Sequence, residues 1–171
     1  RGAKVPEGYY CYGIDVSKYQ TQIKWDSLKV LTDAHKRTIR SATYAKDIRN
    51  ISFAFIKATE GTALKDRHFK RHWNDASEAG VRRGAYHFFR SSANAEVQAH
   101  HFINTVGELS EDDLPPGLDI ETIHKGCTRM GLNDKAMRWL EIIEKHYGRK
   151  PIVYSPASFI EHTLCEEIKE N

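Results

Sequence analysis

Two carboxylic acids one residue apart, Asp119 and Glu121, are the residues in this sequence best placed to do chemistry. They lie in a short apolar segment with the character of a β-strand, so both side chains would project from one face about 6.6 Å apart along the backbone. Like charges this close raise the pKa of one group, so one acid stays protonated while the other is ionised. Acid-catalysed cleavage of a glycosidic bond requires this division of roles. The alternative is that both acids have no chemical role and are simply solvated at the end of a strand.

Two further acids stand at comparable positions in other apolar segments. Asp15 interrupts an apolar stretch, where a carboxylate is costly unless it is paired or functional. Its alternative role is to accept backbone N–H groups from the next loop. Glu60 follows the second apolar segment, and Lys57 is the candidate partner of Glu60 or Asp15 in a purely structural ion pair.

Tyrosines near these acids supply flat surfaces of the kind on which sugar rings pack. Tyr86 and Tyr154 are the candidates, and Tyr86 shares a strand face with Phe88. We expect Phe88 and Phe89 to belong to the core instead. His87 falls on the face opposite Tyr86 and is expected to be a packed or hydrogen-bonded core histidine.

A parallel sheet has to position these residues, because apolar strands alternate with amphipathic helices along the chain. The sequence predicts five strands, over residues 12–17, 51–58, 84–89, 117–121 and 151–155. Parallel strands place their carboxyl ends on one rim, which is where β/α barrels hold their sites. The candidate acids therefore fall on a common rim.

Apolar residues at helical spacing predict four helices, over residues 69–76, 95–106, 136–147 and 156–168. Asn133 or Asp134 is the expected cap of the third helix, and Ser155 is that of the fourth. Residues 32–50 are polar, charged and weakly periodic, so we interpret them as a helix end plus a charged surface insertion.

Composition and charge argue against several classes of protein. With 26 basic and 23 acidic residues, the net charge of +3 is too small to imply nucleic acid or an anionic membrane as an obligatory partner. Apolar runs are far shorter than the ~18 residues that a membrane-spanning helix needs. Three cysteines without a CxxC spacing indicate neither a disulfide framework nor a zinc site. His68 and His72 lack the intervening glutamate of a zinc motif, so we expect a solvated helix face there and no metal or cofactor.

Five short motifs together resemble the glycoside hydrolase family 25 lysozymes, the N-acetylmuramidases of the Chalaropsis type. In order they are GIDVS with Gln20, FIKATEG, GAYHF, LDIE and PIVYS, at residues 13–17, 55–61, 84–88, 118–121 and 151–155. Each falls at a predicted strand, and the set is far more specific than any one motif. The resemblance implies an α/β fold in the form of a flattened β/α (TIM-like) barrel.

The same resemblance implies a peptidoglycan hydrolase that cleaves the β-1,4 bond between N-acetylmuramic acid and N-acetylglucosamine. By position, Glu121 would be the proton donor, while Asp119 and Asp15 would line the subsite of the cleaved muramic sugar. Asp119 either orients the 2-acetamido oxygen of the sugar, attacks directly or holds a water. The residues expected to shape the groove are Glu60, Tyr86 and Tyr154.

Residues 1–171 are expected to form one glycoside hydrolase catalytic domain, with residues 32–50 as an insertion. Because a complete barrel takes about 250 residues, we expect this domain to lack its closing C-terminal strands. Its partner would be peptidoglycan, its location secreted or periplasmic, and its state a monomer. Two alternatives stay open: a noncatalytic glycan-binding barrel module and a metal-dependent polysaccharide deacetylase.

Overall fold

The computed structural model describes residues 11–171, which form two sheets and five α-helices. The strands are β1 (Gly13–Val16), β2 (Lys29–Thr32), β3 (Thr38–Ile39), β4 (Asp47–Asn50), β5 (Phe53–Glu60), β6 (Leu64–Lys65), β7 (Arg82–Phe88), β8 (Gly117–Asp119) and β9 (Ile152–Tyr154). The helices are α1 (Phe69–Glu78), α2 (Ala95–Val106), α3 (Arg129–Tyr147), α4 (Ala157–Thr163) and α5 (Glu166–Lys169).

The larger sheet is curled like one half of a barrel wall. Its strand order is β1-β5-β7-β8-β9, and these five strands run parallel, while the short strand β6 pairs antiparallel with β5. The five parallel strands confirm the five predicted ones, with ends that differ by at most two residues. The predicted α/β class is therefore confirmed, in the form of a half-barrel sheet.

Side-chain alternation gives this sheet two different faces. On the convex face, Ile56, Ala85 and Leu118 are buried in the hydrophobic core that the helices cover. Phe102 of α2 and Trp139 of α3 are fully buried there, with ring centroids 5.5 Å apart in an edge-to-face arrangement. None of the helices in the described part of the chain is both long and apolar enough to cross a membrane.

His87 lies within this core, as predicted. Its Nε2–H donates to Gln98 Oε1 at 3.1 Å, and its Nδ1 accepts from the Thr59 hydroxyl at 2.7 Å. Gln98 fixes this tautomer, because its Oε1 also accepts from the Arg90 backbone N–H and its amide nitrogen donates to the Arg90 carbonyl. The ring stacks on Trp139, with centroids 5.6 Å apart. Burial lowers the pKa of His87 to about 4, so the ring is neutral at physiological pH.

Two predicted helix boundaries are wrong. The third long helix, α3, begins at Arg129, where the Thr128 hydroxyl caps it by accepting from the Gly131 N–H at 3.0 Å. Asn133 is not the cap, because its side chain holds the junction of the last two helices, donating to the Thr163 carbonyl and accepting from the Cys165 N–H. The predicted final helix is split into α4 and α5. Ser155 does not cap it, because Pro156 holds the cap position and the Ser155 hydroxyl donates to the Ile120 carbonyl.

The segment 32–50 contains no end of an α-helix, and its helical structure is one 3-10 turn, Ala42–Tyr44. Its strands β3 and β4 pair with the two edges of β2, which gives a three-stranded antiparallel sheet of order β3-β2-β4. The hydroxyl of Tyr12, the residue before β1, donates to the Lys36 carbonyl in the turn between β2 and β3 at 2.9 Å. Strand β4 leads directly into the start of β5. The small sheet thus lies at the amino-terminal end of the parallel strands, opposite to the rim that bears the candidate acids.

Candidate active site

A cavity of about 300 Å³ opens on the concave face of the parallel sheet. Five of the six predicted site residues line it, and Glu60 does not. Those five residues are Asp15, Tyr86, Asp119, Glu121 and Tyr154.

The register of the parallel strands explains why these side chains meet. Asp15 is paired with Phe55, and Asp119 is paired with Tyr154, so residues far apart in sequence lie side by side on the same face. Phe55 forms part of the cavity lining because its neighbour is Gly84: a Cβ at that position would lie 2.5 Å from Phe55 Cε1. The small residue therefore leaves room for the ring within the curled sheet.

The pair formed by Asp119 and Glu121 is the electrostatic centre of this cavity. Asp119 is half-buried, and its Oδ1 has no hydrogen-bond partner among the described residues, whereas Glu121 is exposed. Burial raises the pKa of Asp119 to about 7, with a further increase from the charge of Glu121, while Lys57 acts in the opposite direction. The pair therefore retains a proton near neutral pH.

Asp15 lies across the cavity from this pair on β1, and burial raises its pKa. The alternative role considered for Asp15, accepting N–H groups from the following loop, belongs to Asp66 instead. One oxygen of Asp66 accepts from the Lys18 N–H at 2.6 Å, and the other accepts from the His68 N–H at 2.9 Å. Asp66 thus fixes the loop after β1, and the Asp15 carboxylate makes no hydrogen bond with the described residues.

Glu60 lies beside the cavity within a network of charged side chains. Its carboxylate accepts from Lys57 Nζ at 2.7 Å and forms an ion pair with Arg90, whose Nη1 lies 2.7 Å from His124 Nε2. Burial alone would raise the pKa of Glu60, but the hydrogen bonds from Lys57 and Arg90 outweigh it and lower the pKa. Glu60 is therefore ionised, and the structural pair predicted for Lys57 forms with Glu60.

The aromatic side chains divide between core and cavity. Phe89 is buried, as predicted, but the assignment of Phe88 to the core is wrong: its ring lies on the concave face between Lys57 Nζ and the Arg90 guanidinium, 4.7 and 5.1 Å from its centroid. Tyr86 is half-buried, and burial together with nearby carboxylates raises its pKa. Tyr154 is 58% exposed at the edge of the sheet. Both tyrosines are neutral hydroxyl donors at physiological pH.

The expected solvated face at His68 and His72 is wrong for His72. This ring is buried against Trp25, with centroids 6.0 Å apart, and its Nε2 lies 2.7 Å from the Gln20 carbonyl. Among residues 11–171 no three His, Cys, Asp or Glu side chains converge as a metal site would require.

Comparison with known families decides which proteins this arrangement belongs with. The model of the family Glycosyl hydrolases family 25 matches residues 14–171. The chain belongs to glycoside hydrolase family 25. The matched range contains every predicted site residue, and the resemblance drawn from the five motifs is confirmed.

Relatives of this family 25 chain are found among both sequences and solved structures. YegX of Escherichia coli K12 is 38% identical over 167 residues, covering 98% of this chain and 56% of that protein. Lysozyme M1 of Streptomyces globisporus is 38% identical over 155 residues, covering 86% of this chain and 47% of that protein. A family 25 glycosyl hydrolase structure from Bacillus anthracis matches with a TM-score of 0.73 at 32% identity, covering 92% of this chain and 65% of that one. The chain thus spans about half the length of the curated relatives it matches.

Several residues beside the family 25 site were not found from sequence. Arg90 and His124 surround Glu60, and Asp66 positions the loop after β1. The sequence does hold a signal for Arg90: it is the first charged residue after the apolar run of β7, which places it at the same rim as the acids. Asp66 and His124 lie in loops, where residue spacing carries no comparable signal.

Proposed function

We propose that the protein hydrolyses the β-1,4 bond between N-acetylmuramic acid and N-acetylglucosamine in peptidoglycan. The observation that carries this proposal is the convergence of Asp15, Asp119 and Glu121 in one cavity of a family 25 chain. Support comes from relatives whose names describe that activity, including Lysozyme M1 and the N,O-diacetylmuramidase of Chalaropsis sp., which is 29% identical over 158 residues. The relatives favour neither a noncatalytic module nor a deacetylase.

Glu121 is the proton donor in this proposal. It is the exposed member of the carboxyl pair, so a glycosidic oxygen can reach it, and the pair retains a proton near neutral pH because of Asp119. As the bond from C1 to this oxygen breaks, Glu121 transfers the proton to the departing oxygen. Asp119 is left ionised in a partly desolvated position, where its charge stabilises the positive charge that develops at C1. Water then adds to C1, and its released proton returns to the pair.

The remaining cavity residues bind and orient the glycan. Asp15 faces the muramic subsite from the β1 side and accepts hydrogen bonds from sugar hydroxyl or amide groups. Tyr86 and Tyr154 offer ring faces for sugar C–H groups and hydroxyls that donate hydrogen bonds. Glu60 shapes the adjoining rim through its fixed ion pairs with Lys57 and Arg90.

The half-barrel sheet is part of a closed β/α barrel in the whole catalytic domain. Strands β1 and β9 each pair on only one side among the described residues, and the lining side chains Ile152 and Tyr154 are 40% and 58% exposed. Further parallel strands would pair with these edges and cover the apolar lining. On this proposal, residues 1–171 contribute to one catalytic domain, with the small sheet as its insertion.

The substrate sets the place where the protein acts. Peptidoglycan lies outside the cytoplasmic membrane, so the proposed location is the cell envelope, reached by secretion. The proposed oligomeric state there is a monomer. Cell fractionation and light scattering test these two statements.

The main test measures reducing ends released from purified peptidoglycan. Glu121→Gln should remove the proton donor and lower the rate by at least about a hundredfold, with an unchanged circular dichroism spectrum. Glu78→Gln is the matched control, because it makes the same chemical change at an exposed position on α1, outside the site. Equal rates for Glu121→Gln and the wild type would refute the assignment. Binding without release of reducing ends would indicate a noncatalytic module, and chelator-sensitive release of acetate would indicate a deacetylase.

A further inference from the structure

The small antiparallel sheet carries a surface that the proposed function does not use. In its register, Leu31 of β2 stands opposite Ile39 of β3 on one side and opposite Ile48 of β4 on the other. Directly paired residues project from the same face. The three side chains therefore form one line across the sheet, which we call the aliphatic row.

The aliphatic row points away from the protein core. On the opposite face of the sheet, Thr32 is fully buried and Val30 packs against the hydrophobic core. The core of the described residues includes none of the three members of the row, and Ile48 is 60% exposed. Tyr44, in the turn between β3 and β4, is 73% exposed. Leu31 and Ile39 are partly buried, so the row reaches solvent chiefly through Ile48 on β4.

Positive charge is concentrated in the segment that carries this row. Residues 29–50 contain six Lys and Arg and two Asp, whereas the rest of the chain contains 20 basic and 21 acidic residues. The two acids already pair with Arg37, Lys36 and Arg49. Three exposed cations make no ion pair with the described residues: Lys29, Arg40 and Lys46. The modest net charge of the whole chain conceals a strongly cationic segment.

We propose that this surface binds an anionic phospholipid membrane, with the aliphatic row against the headgroup region and Lys29, Arg40 and Lys46 against lipid phosphates. Basic residues around exposed aliphatic and tyrosine side chains match the composition of a bilayer interface. A hydrated polyanion would satisfy the cations but would give Ile39, Leu31 and Ile48 nothing apolar to contact. The surface lies at the end of the sheet opposite the cavity, so binding leaves the cavity open to substrate. This inference goes beyond the proposed function and does not depend on it.

Co-sedimentation with vesicles tests the proposal directly. The protein should bind vesicles of phosphatidylcholine with about 30% phosphatidylglycerol at about 0.15 M salt, and should stay in solution with pure phosphatidylcholine. Each basic residue near an anionic surface changes the affinity about fivefold, so the triple variant Lys29→Gln, Arg40→Gln, Lys46→Gln should bind about a hundredfold more weakly. Ile48→Ser should weaken binding about fivefold to tenfold, since it removes only apolar contact.

A matched control separates this surface from net charge. The triple variant Lys70→Gln, Lys125→Gln, Lys145→Gln removes the same charge from exposed positions elsewhere and should bind vesicles like the wild type. Equal weakening by both triple variants would overturn the proposal, as would equal binding to neutral vesicles. Full competition by soluble polyphosphate combined with wild-type binding by Ile48→Ser would show a polyanion site and would also overturn it. Glu121→Gln should bind vesicles normally, which keeps this test apart from that of the activity.

Discussion

The buried histidine of the core, His87, makes the unfolding free energy of this protein depend on pH. A single substitution of His87 separates this contribution from that of the other titrating groups. In its neutral form His87 accepts from Thr59 and donates to Gln98, and burial of the ring opposes its protonation. Substituting His87→Gln removes the titrating ring while keeping a polar side chain at the site. Because carboxylates also titrate as the pH falls, the informative quantity is the difference in unfolding free energy between the wild type and this variant.

The magnitude follows from the two pKa values of His87. Burial lowers the pKa to about 4 in the folded chain, against 6.5 for an unperturbed histidine. As the pH falls below the unperturbed value, the unfolded chain binds a proton before the folded chain does, so the folded state loses stability. The stabilisation is fully present above pH 6.5. About 1 kcal/mol is lost by about pH 5.5, and about 3 kcal/mol is lost by about pH 4.

Urea denaturation at several pH values measures this difference. The unfolding free energy of the wild type minus that of His87→Gln should decrease by these amounts between about pH 7.5 and 4. His100→Gln, on the exposed surface of α2, is the matched control for loss of a histidine. If the His87→Gln difference followed the same pH dependence as the His100→Gln difference, the argument that a neutral buried His87 stabilises the core would be refuted.

Two other predictions concern the carboxyl pair and the small sheet. The hydrolysis rate on soluble peptidoglycan fragments should fall as the pH rises through about 7, because Asp119, whose pKa is raised to about 7, then releases the proton held by the pair. Asp119→Asn should lower the rate and move this fall to lower pH, and an unmoved profile would contradict the shared-proton argument. Lys36 has a φ of 60°, a left-handed conformation that glycine adopts without strain. Lys36→Gly should therefore raise the unfolding free energy by about 1 kcal/mol in urea denaturation, and a decrease would contradict it.

The parallel strands and the acids at their ends were predictable because both depend on local sequence. Apolar runs such as that of β5 mark strands, and the one-residue spacing of Asp119 and Glu121 places both carboxyls in one cavity. The cap of α3 was not predictable, because Thr128 and Asn133 are both good caps by type. Asn133 does not act as the cap, because its side chain instead donates to the distant Thr163 carbonyl.

Other features depended on contacts between distant segments. His72 on α1 is buried because Trp25 and the Gln20 carbonyl pack on it, and neither is local to the helix. The small sheet consists of strands of two to four residues that mix polar and aliphatic side chains, so pairing between strands determines it more than residue type does. The role first considered for Asp15 fell to Asp66, a loop residue whose partner Lys18 lies 48 positions away.

The sugar at the new reducing end gives the most direct test of the proposed activity. Purified peptidoglycan is digested with the protein, the products are reduced with borohydride, and the reduced sugars are identified by mass spectrometry. Cleavage at the proposed bond predicts reduced N-acetylmuramic acid at every new end, in amounts that fall to background with Glu121→Gln. Reduced N-acetylglucosamine at the new ends would contradict the account. Digestion that produces no new reducing ends would also contradict it.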